Sequence, residues 1–286
     1  MGREADITLL RRALREAGVG DFEDLLSAAE IYLWTRGNAG VSTASPLLSL
    51  LWDCGASWLK KSAQSLLGGI GGAALPAFGE GRTAAVFLLD SSSENVIAVS
   101  ARAWRALAEL PQLQERHAVV AEKSIATSFR NHLDGAACDS ISLLPATPLR
   151  PRESWATLRC ALAALKPLRP DVSWQAYTVF LFYFLRMMEA SAERLVATAV
   201  ARNRHTVFVS GSDFHFLSRL VALKARPYDN VTTIALTHGA ITTPDVMLPI
   251  ESDYFGVWSQ EQKDRLLRHG GCDHRIVVLG NPNRPA

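Results

Sequence analysis

Short apolar runs alternate with longer amphipathic stretches from residue 83 to the end of the chain. Runs this short, bounded by polar or turn residues, are typical of strands buried inside a sheet. They lie at 83–90, 117–123 and 140–145, and then in the segments TVFVS, VTTIAL, DYFGVWS and RIVVLGNP.

The stretches between these runs have helical periodicity. Helices are predicted at 96–110, 151–166 and 173–202, and in the segments FHFLSRLVALKA and QEQKDRLLRHGG. Strands that alternate with helices form parallel β-α-β units. The pattern therefore predicts an α/β fold with a Rossmann-like parallel sheet and helices on both of its faces.

The first 82 residues have a different sequence pattern. Residues 1–67 are predicted to form a small helical region, and residues 68–82 a glycine-rich linker. The linker can be matched to a G-x-G-x-x-A pattern, but a helical stretch precedes it where a dinucleotide fingerprint needs a strand. Residues 83–286 are predicted to form the Rossmann-like lobe.

Composition narrows the class of protein. The 286 residues are 48% hydrophobic and 20% charged, with a formal net charge of +2, which gives no argument for a nucleic-acid partner. Four cysteines without C-x-x-C spacing predict neither a metal site nor a disulfide framework. The longest apolar run, 179–185, is much shorter than a membrane span. We expect a cytoplasmic protein with at most peripheral contact at the inner face of a membrane.

Candidate chemistry follows the late strands, because ligands of open parallel sheets bind outside the carboxyl ends of the strands. His238 is the leading catalytic candidate, since an imidazole can take a proton from an attacking hydroxyl at neutral pH. The alternative is a histidine that only bonds a neighbouring loop. The residues expected to bind substrate are Gly211, Ser212, Asp213, Gly239, Asp245, Gly280 and Asn281.

Four acidic positions leave alternatives open. Asp213 would orient His238, bind a sugar hydroxyl, or cap the next helix. Asp245 and Glu251 would supply a second carboxylate or, as we favour, simply be solvated. The loop at 90–93, beginning with Asp90, would bind an acceptor or cap the helix that follows it.

Residues 206–283 resemble bacterial surface-polysaccharide transferases of the two-lobed GT-B fold. These include capsule-polysaccharide glycosyltransferases and, more distantly, CDP-glycerol glycerophosphotransferases and UDP-N-acetylglucosamine 2-epimerases. The elements that carry the resemblance are His238–Gly239, Pro244–Asp245, Asp253–Tyr254, Trp258 and Gly280–Asn281–Pro282.

The resemblance implies an enzyme of cell-surface glycan biosynthesis that transfers a sugar from a nucleotide-activated donor to a glycan acceptor. It implies His238 as the base and no cofactor beyond the nucleotide sugar. It makes this chain the N-terminal lobe, so we expect the donor-binding lobe to be absent here or supplied by a partner chain. The alternatives are a sugar-nucleotide epimerase of the same fold and a non-catalytic module that binds a glycan or a partner.

Overall fold

The structure, a computed structural model, describes most of the chain beyond residue 82. The described residues are 83–113, 115–121, 123–133, 135, 140–144, 152–153, 155–159, 172–202, 204–211, 216–241 and 244–280. The chain divides into two compact units, Met1–Gly72 with Ala146–Ser191, and Ala73–Pro145 with Ala192–Ala286. The second unit holds the sheet.

Seven strands form one sheet in which every neighbouring pair is parallel. The strands are β1 (Ala84–Leu89), β2 (Glu115–Val120), β3 (Ile141–Leu143), β4 (Thr206–Ser210), β5 (Val231–Leu236), β6 (Tyr254–Val257) and β7 (Ile276–Val278). Their order across the sheet is β3-β2-β1-β4-β5-β6-β7. The predicted α/β fold with a parallel Rossmann-like sheet is confirmed. Strands β1 to β3 are added toward one edge of the sheet and β4 to β7 toward the other, so the strand order reverses between β1 and β4.

Five longer helices are described. They are α1 (Glu94–Ala108), α2 (Lys123–His132), α3 (Val172–Val200), α4 (Phe216–Ala225) and α5 (Gln260–Arg268). All but α2 match helices predicted from periodicity. Helix α2 was missed because its ten residues, KSIATSFRNH, are mostly polar and only three of them are buried.

Two apolar clusters cover different parts of the sheet. The first joins β1 and β2 to α1 and α2, and Trp104 stands at its centre between Phe87 and Phe129, with ring centroids 5.1 and 5.6 Å away. The second joins β5, β6 and β7 to α5. It also takes in Ile241 and Ile250, so both ends of the segment between β5 and β6 are anchored in the core.

Several predictions fall outside the described residues. These are the helical region 1–67, the linker 68–82 and most of the helix expected at 151–166, of which only 152–153 and 155–159 are described, as helical. Among the helices that the structure does describe, none combines the length and apolar character needed to cross a membrane.

Candidate functional site

The strand order brings the candidate residues to one edge of the sheet. Because all seven strands are parallel, the residues that follow them lie along the same carboxyl edge. Asp90 follows β1, Gly211 follows β4, His238 lies just beyond β5, Trp258 follows β6 and Gly280 comes shortly after β7. Asp90 and Gly211 flank the point where the strand order reverses, where ligands bind in folds of this class.

His238 is partly exposed and held by a backbone carbonyl of the neighbouring strand end. Its Nδ1 lies 3.1 Å from the carbonyl oxygen of Gly211. A carbonyl oxygen can only accept a hydrogen bond, so Nδ1 carries the proton. In the neutral ring this leaves the lone pair on Nε2, which is the protonation state a general base needs.

The carbonyl that holds His238 is itself fixed by tight packing. A Cβ atom on Gly211 would lie 2.7 Å from Cγ1 of Val96 and 2.8 Å from Oγ of Ser100, both on helix α1. Only a glycine lets the end of β4 approach α1 this closely. Gly211 was predicted to bind substrate, and what the structure gives it is a role in placing the imidazole.

The turn around His238 is also bonded to β6 and α5. The indole Nε1 of Trp258 donates to the carbonyl oxygen of Thr237 at 3.1 Å. The carbonyl oxygen of Gly239 accepts from Gln262 Nε2 at 3.2 Å and from Thr237 Oγ1 at 3.2 Å. The carbonyls of both residues beside His238 are therefore bonded to residues at the junction of β6 and α5 or to the turn itself. Gln262 was missed from the sequence, although its place three residues after Ser259 is a capping-box signal.

Asp90 lies at the edge but is engaged with a helix. Its Oδ2 accepts from the backbone nitrogen of Ser218 at 3.2 Å and from Ser218 Oγ at 3.3 Å. Ser218 lies in the first turn of α4, so the carboxylate caps a helix distant in sequence and complements its dipole. The expectation that this loop caps the following helix, α1, is not met by a side chain: Ser93 occupies the N-cap position without a side-chain bond.

The interpretation of Glu251 as a solvated carboxylate is wrong. Its side chain is 8% exposed, and its Oε1 lies 3.1 Å from Nη2 of Arg219, which is 1% exposed. Its Oε2 pairs with Arg226. Arg275 Nη1 donates to the carbonyl oxygen of Ile250 next to it, at 2.8 Å. Three arginines therefore hold the segment that enters β6, and Glu251 acts as a structural ion-pair partner there.

The other candidates are only partly placed. Asp245 lies in a short 3-10 turn, Pro244–Met247. A Cβ on Gly239 or Gly280 would meet no atom of the described residues within 4 Å. Gly280 also has a φ of +87°, which favours glycine. Strands lie about 4.8 Å apart, so the end of β7 is roughly 10 Å along the edge from His238.

Ser212, Asp213 and Asn281 lie outside the described residues, and their predicted roles stay predictions. Among the residues that are described, no three His, Cys, Asp or Glu side chains are grouped so that they could hold a metal ion. The described edge presents an imidazole that can exchange a proton and backbone groups that can form hydrogen bonds.

Comparison of the chain with known protein families, curated proteins and solved structures finds no match. The fold and the His238 site consequently rest on the chain's own geometry, and the resemblance to polysaccharide transferases stays an expectation.

Proposed function

We propose that this chain carries the proton-accepting half of a glycosyltransferase site of cell-surface glycan biosynthesis. In the reaction, a hydroxyl of a glycan acceptor attacks the anomeric carbon of a nucleotide-activated sugar. The new glycosidic bond forms as the bond from that carbon to the phosphate oxygen breaks. The nucleotide leaves with the electron pair, and Nε2 of His238 takes the hydroxyl proton.

The observation that carries the proposal is the hydrogen bond from His238 Nδ1 to the Gly211 carbonyl at the carboxyl edge. It directs the lone pair of the neutral ring to Nε2 and ties the ring to the strand end beside the reversal point. The resemblance over residues 206–283 supplies the substrate class. It also assigns the nucleotide to a second lobe or a partner chain, and the acceptor to this edge.

The test is His238→Ala in the chain together with the donor-binding lobe or partner chain that the proposal requires, assayed for transfer of labelled sugar from a panel of nucleotide sugars to oligosaccharide acceptors. Loss of a general base should lower the rate by about 100-fold or more. The matched control is His205→Ala on the opposite edge of the sheet, where the ring contacts Thr232 Oγ1 at 2.9 Å. It should transfer sugar at the wild-type rate.

Three outcomes would contradict the proposal. Equal rates in His238→Ala and wild type would remove the base. Interconversion of UDP-N-acetylglucosamine with its 2-epimer, without transfer, would favour the epimerase alternative. Retained glycan binding with no turnover of any donor would favour the non-catalytic module.

A further inference from the structure

We propose that Gln262 and Trp258 are positioning residues, which fix the direction of the His238 imidazole by bonding the carbonyl groups of the two residues on either side of it, Thr237 and Gly239. Their catalytic consequence rests on the proposed function. Their structural consequence, a fixed ring with a single tautomer, does not.

Three hydrogen bonds link Trp258, Gln262 and the turn that contains His238. Gln262 Oε1 accepts from the backbone nitrogen of Trp258 at 2.8 Å, while its Nε2 donates to the Gly239 carbonyl at 3.2 Å. The indole Nε1 of Trp258 donates to the Thr237 carbonyl at 3.1 Å. The carbonyls of both residues beside His238, Thr237 and Gly239, are therefore bonded to residues at the junction of β6 and α5.

These bonds matter because side-chain packing against the described residues does not hold Gly239 in the turn. A Cβ built on Gly239 meets no described atom within 4 Å, so side-chain packing does not restrain that residue. The Thr237 nitrogen bonds the Gly256 carbonyl at 2.8 Å, which extends the β5–β6 pairing only to the residue before His238. Beyond that point Trp258 bonds the Thr237 carbonyl and Gln262 bonds the Gly239 carbonyl, to which Thr237 Oγ1 adds a second bond at 3.2 Å.

Helix capping alone does not account for Gln262. Ser259 is the N-cap of α5, and its Oγ accepts from the Gln262 nitrogen at 3.3 Å. In a capping box the residue at this position contributes only an acceptor, which glutamate supplies as well as glutamine. The bond to Gly239 needs a donor, which only the amide has. The amide is thus the part of Gln262 that serves His238.

Gln262→Glu is therefore the variant that separates helix capping from the bond to Gly239. It keeps the acceptor toward Trp258 and adds a charge that suits a helix N-terminus, but it sets a carboxylate against the Gly239 carbonyl. The matched control is Gln260→Glu, which adds the same charge in the same turn at an exposed residue whose Nε2 bonds Asp264 at 2.7 Å. A second variant, Trp258→Phe, keeps an aromatic ring and removes the donor to Thr237.

Two readouts are compared across the variants. Long-range ¹H–¹⁵N NMR of the imidazole reports the tautomer of His238, and transfer kinetics report kcat and KM separately. We expect one Nδ1–H tautomer in wild type and Gln260→Glu, and a mixture in Gln262→Glu and Trp258→Phe. In these two variants kcat should fall by roughly 10-fold to 100-fold with KM little changed, the scale of a small misplacement.

An unchanged imidazole spectrum in Gln262→Glu or in Trp258→Phe would overturn the positioning role. So would a mixed spectrum in Gln260→Glu, because the effect would then follow charge alone. A wild type that has the single tautomer but transfers no sugar even with the donor-binding lobe or partner chain supplied would contradict the proposed function and leave the positioning role standing.

Discussion

His117 and His238 are the same side chain in two regions of one sheet, and their surroundings differ in nearly every respect. His117 lies within β2, is 2% exposed and bonds Ser142 Oγ of β3 through Nε2 at 2.8 Å. Burial, and secondarily the charge of Arg202, lowers the pKa of His117 to about 4. His238 lies beyond the end of β5, is partly exposed, and is tied through Nδ1 to a backbone carbonyl.

The difference shows what makes a histidine available for chemistry in this fold. His117 is buried between strands, stays neutral at physiological pH and serves packing. Beyond the ends of the strands, a backbone carbonyl need not pair with a neighbouring strand. The Gly211 carbonyl can therefore accept from the partly exposed His238 imidazole and orient it. The two histidines differ in position: His117 lies within a strand and is buried, whereas His238 lies beyond a strand end and is partly exposed.

The largest predicted effect concerns the ionic anchor of the segment between His238 and β6. Glu251→Gln leaves the buried Arg219 facing a neutral amide, and loss of one partner of such a pair costs about 3–5 kcal/mol of folding free energy. Urea denaturation measures the loss. The control is Glu193→Gln, whose bond to Lys224 Nζ at 3.1 Å involves a side chain that is 56% exposed; it should cost about 0–1 kcal/mol. Equal losses would show that Glu251 is not the anchor.

The free energy of unfolding, measured as a function of pH, tests the burial of His117. Its pKa falls from 6.5 to about 4 on folding, so the stability it contributes is complete above pH 6.5 and is lost as the pH drops toward 4. At 1.36 kcal/mol per pKa unit, the free energy of unfolding should fall by about 2–3 kcal/mol from pH 7 to pH 4.5 through this group. His117→Gln should flatten that part of the curve, and a curve parallel to wild type would refute the assignment.

The smallest predicted effect tests the packing that places the carbonyl under His238. Gly211→Ala forces a methyl group against Val96 and Ser100, and overpacking of this kind costs about 1–3 kcal/mol. Gly239→Ala enters open space and should leave the unfolding midpoint almost unchanged. If both glycines tolerate alanine equally well in thermal melts, the close approach of β4 to α1 is not what fixes the Gly211 carbonyl.

The sheet was predictable because its strands are short, largely apolar runs, and the central strand is buried on both faces. The sequence AAVFLL of β1 is buried throughout, and such apolar runs are visible without any partner information. Bounds differ from the predictions by one to a few residues. The strand order was not predictable, because it depends on which helices cross which face, and periodicity does not encode that.

The position of His238 at the carboxyl edge was predictable, and its surroundings were much less so. Glu251 was misread because its partners, Arg219 and Arg226, lie 32 and 25 residues away, and nothing local distinguishes a paired acid from a solvated one. Gln262 was missed because a capping signal conceals its second bond. Contacts that join distant segments decide these roles, and a single sequence leaves them open.

The most direct measurement is sugar transfer by His238→Asn, assayed with the donor-binding lobe or partner chain supplied and compared with wild type and with His117→Gln. Asparagine can still donate to the Gly211 carbonyl but has no lone pair that accepts a proton, so the account predicts a loss of about 100-fold or more, with the fold retained. His117→Gln should transfer at the wild-type rate at pH 7. Wild-type transfer by His238→Asn would contradict the assignment of His238 as the base.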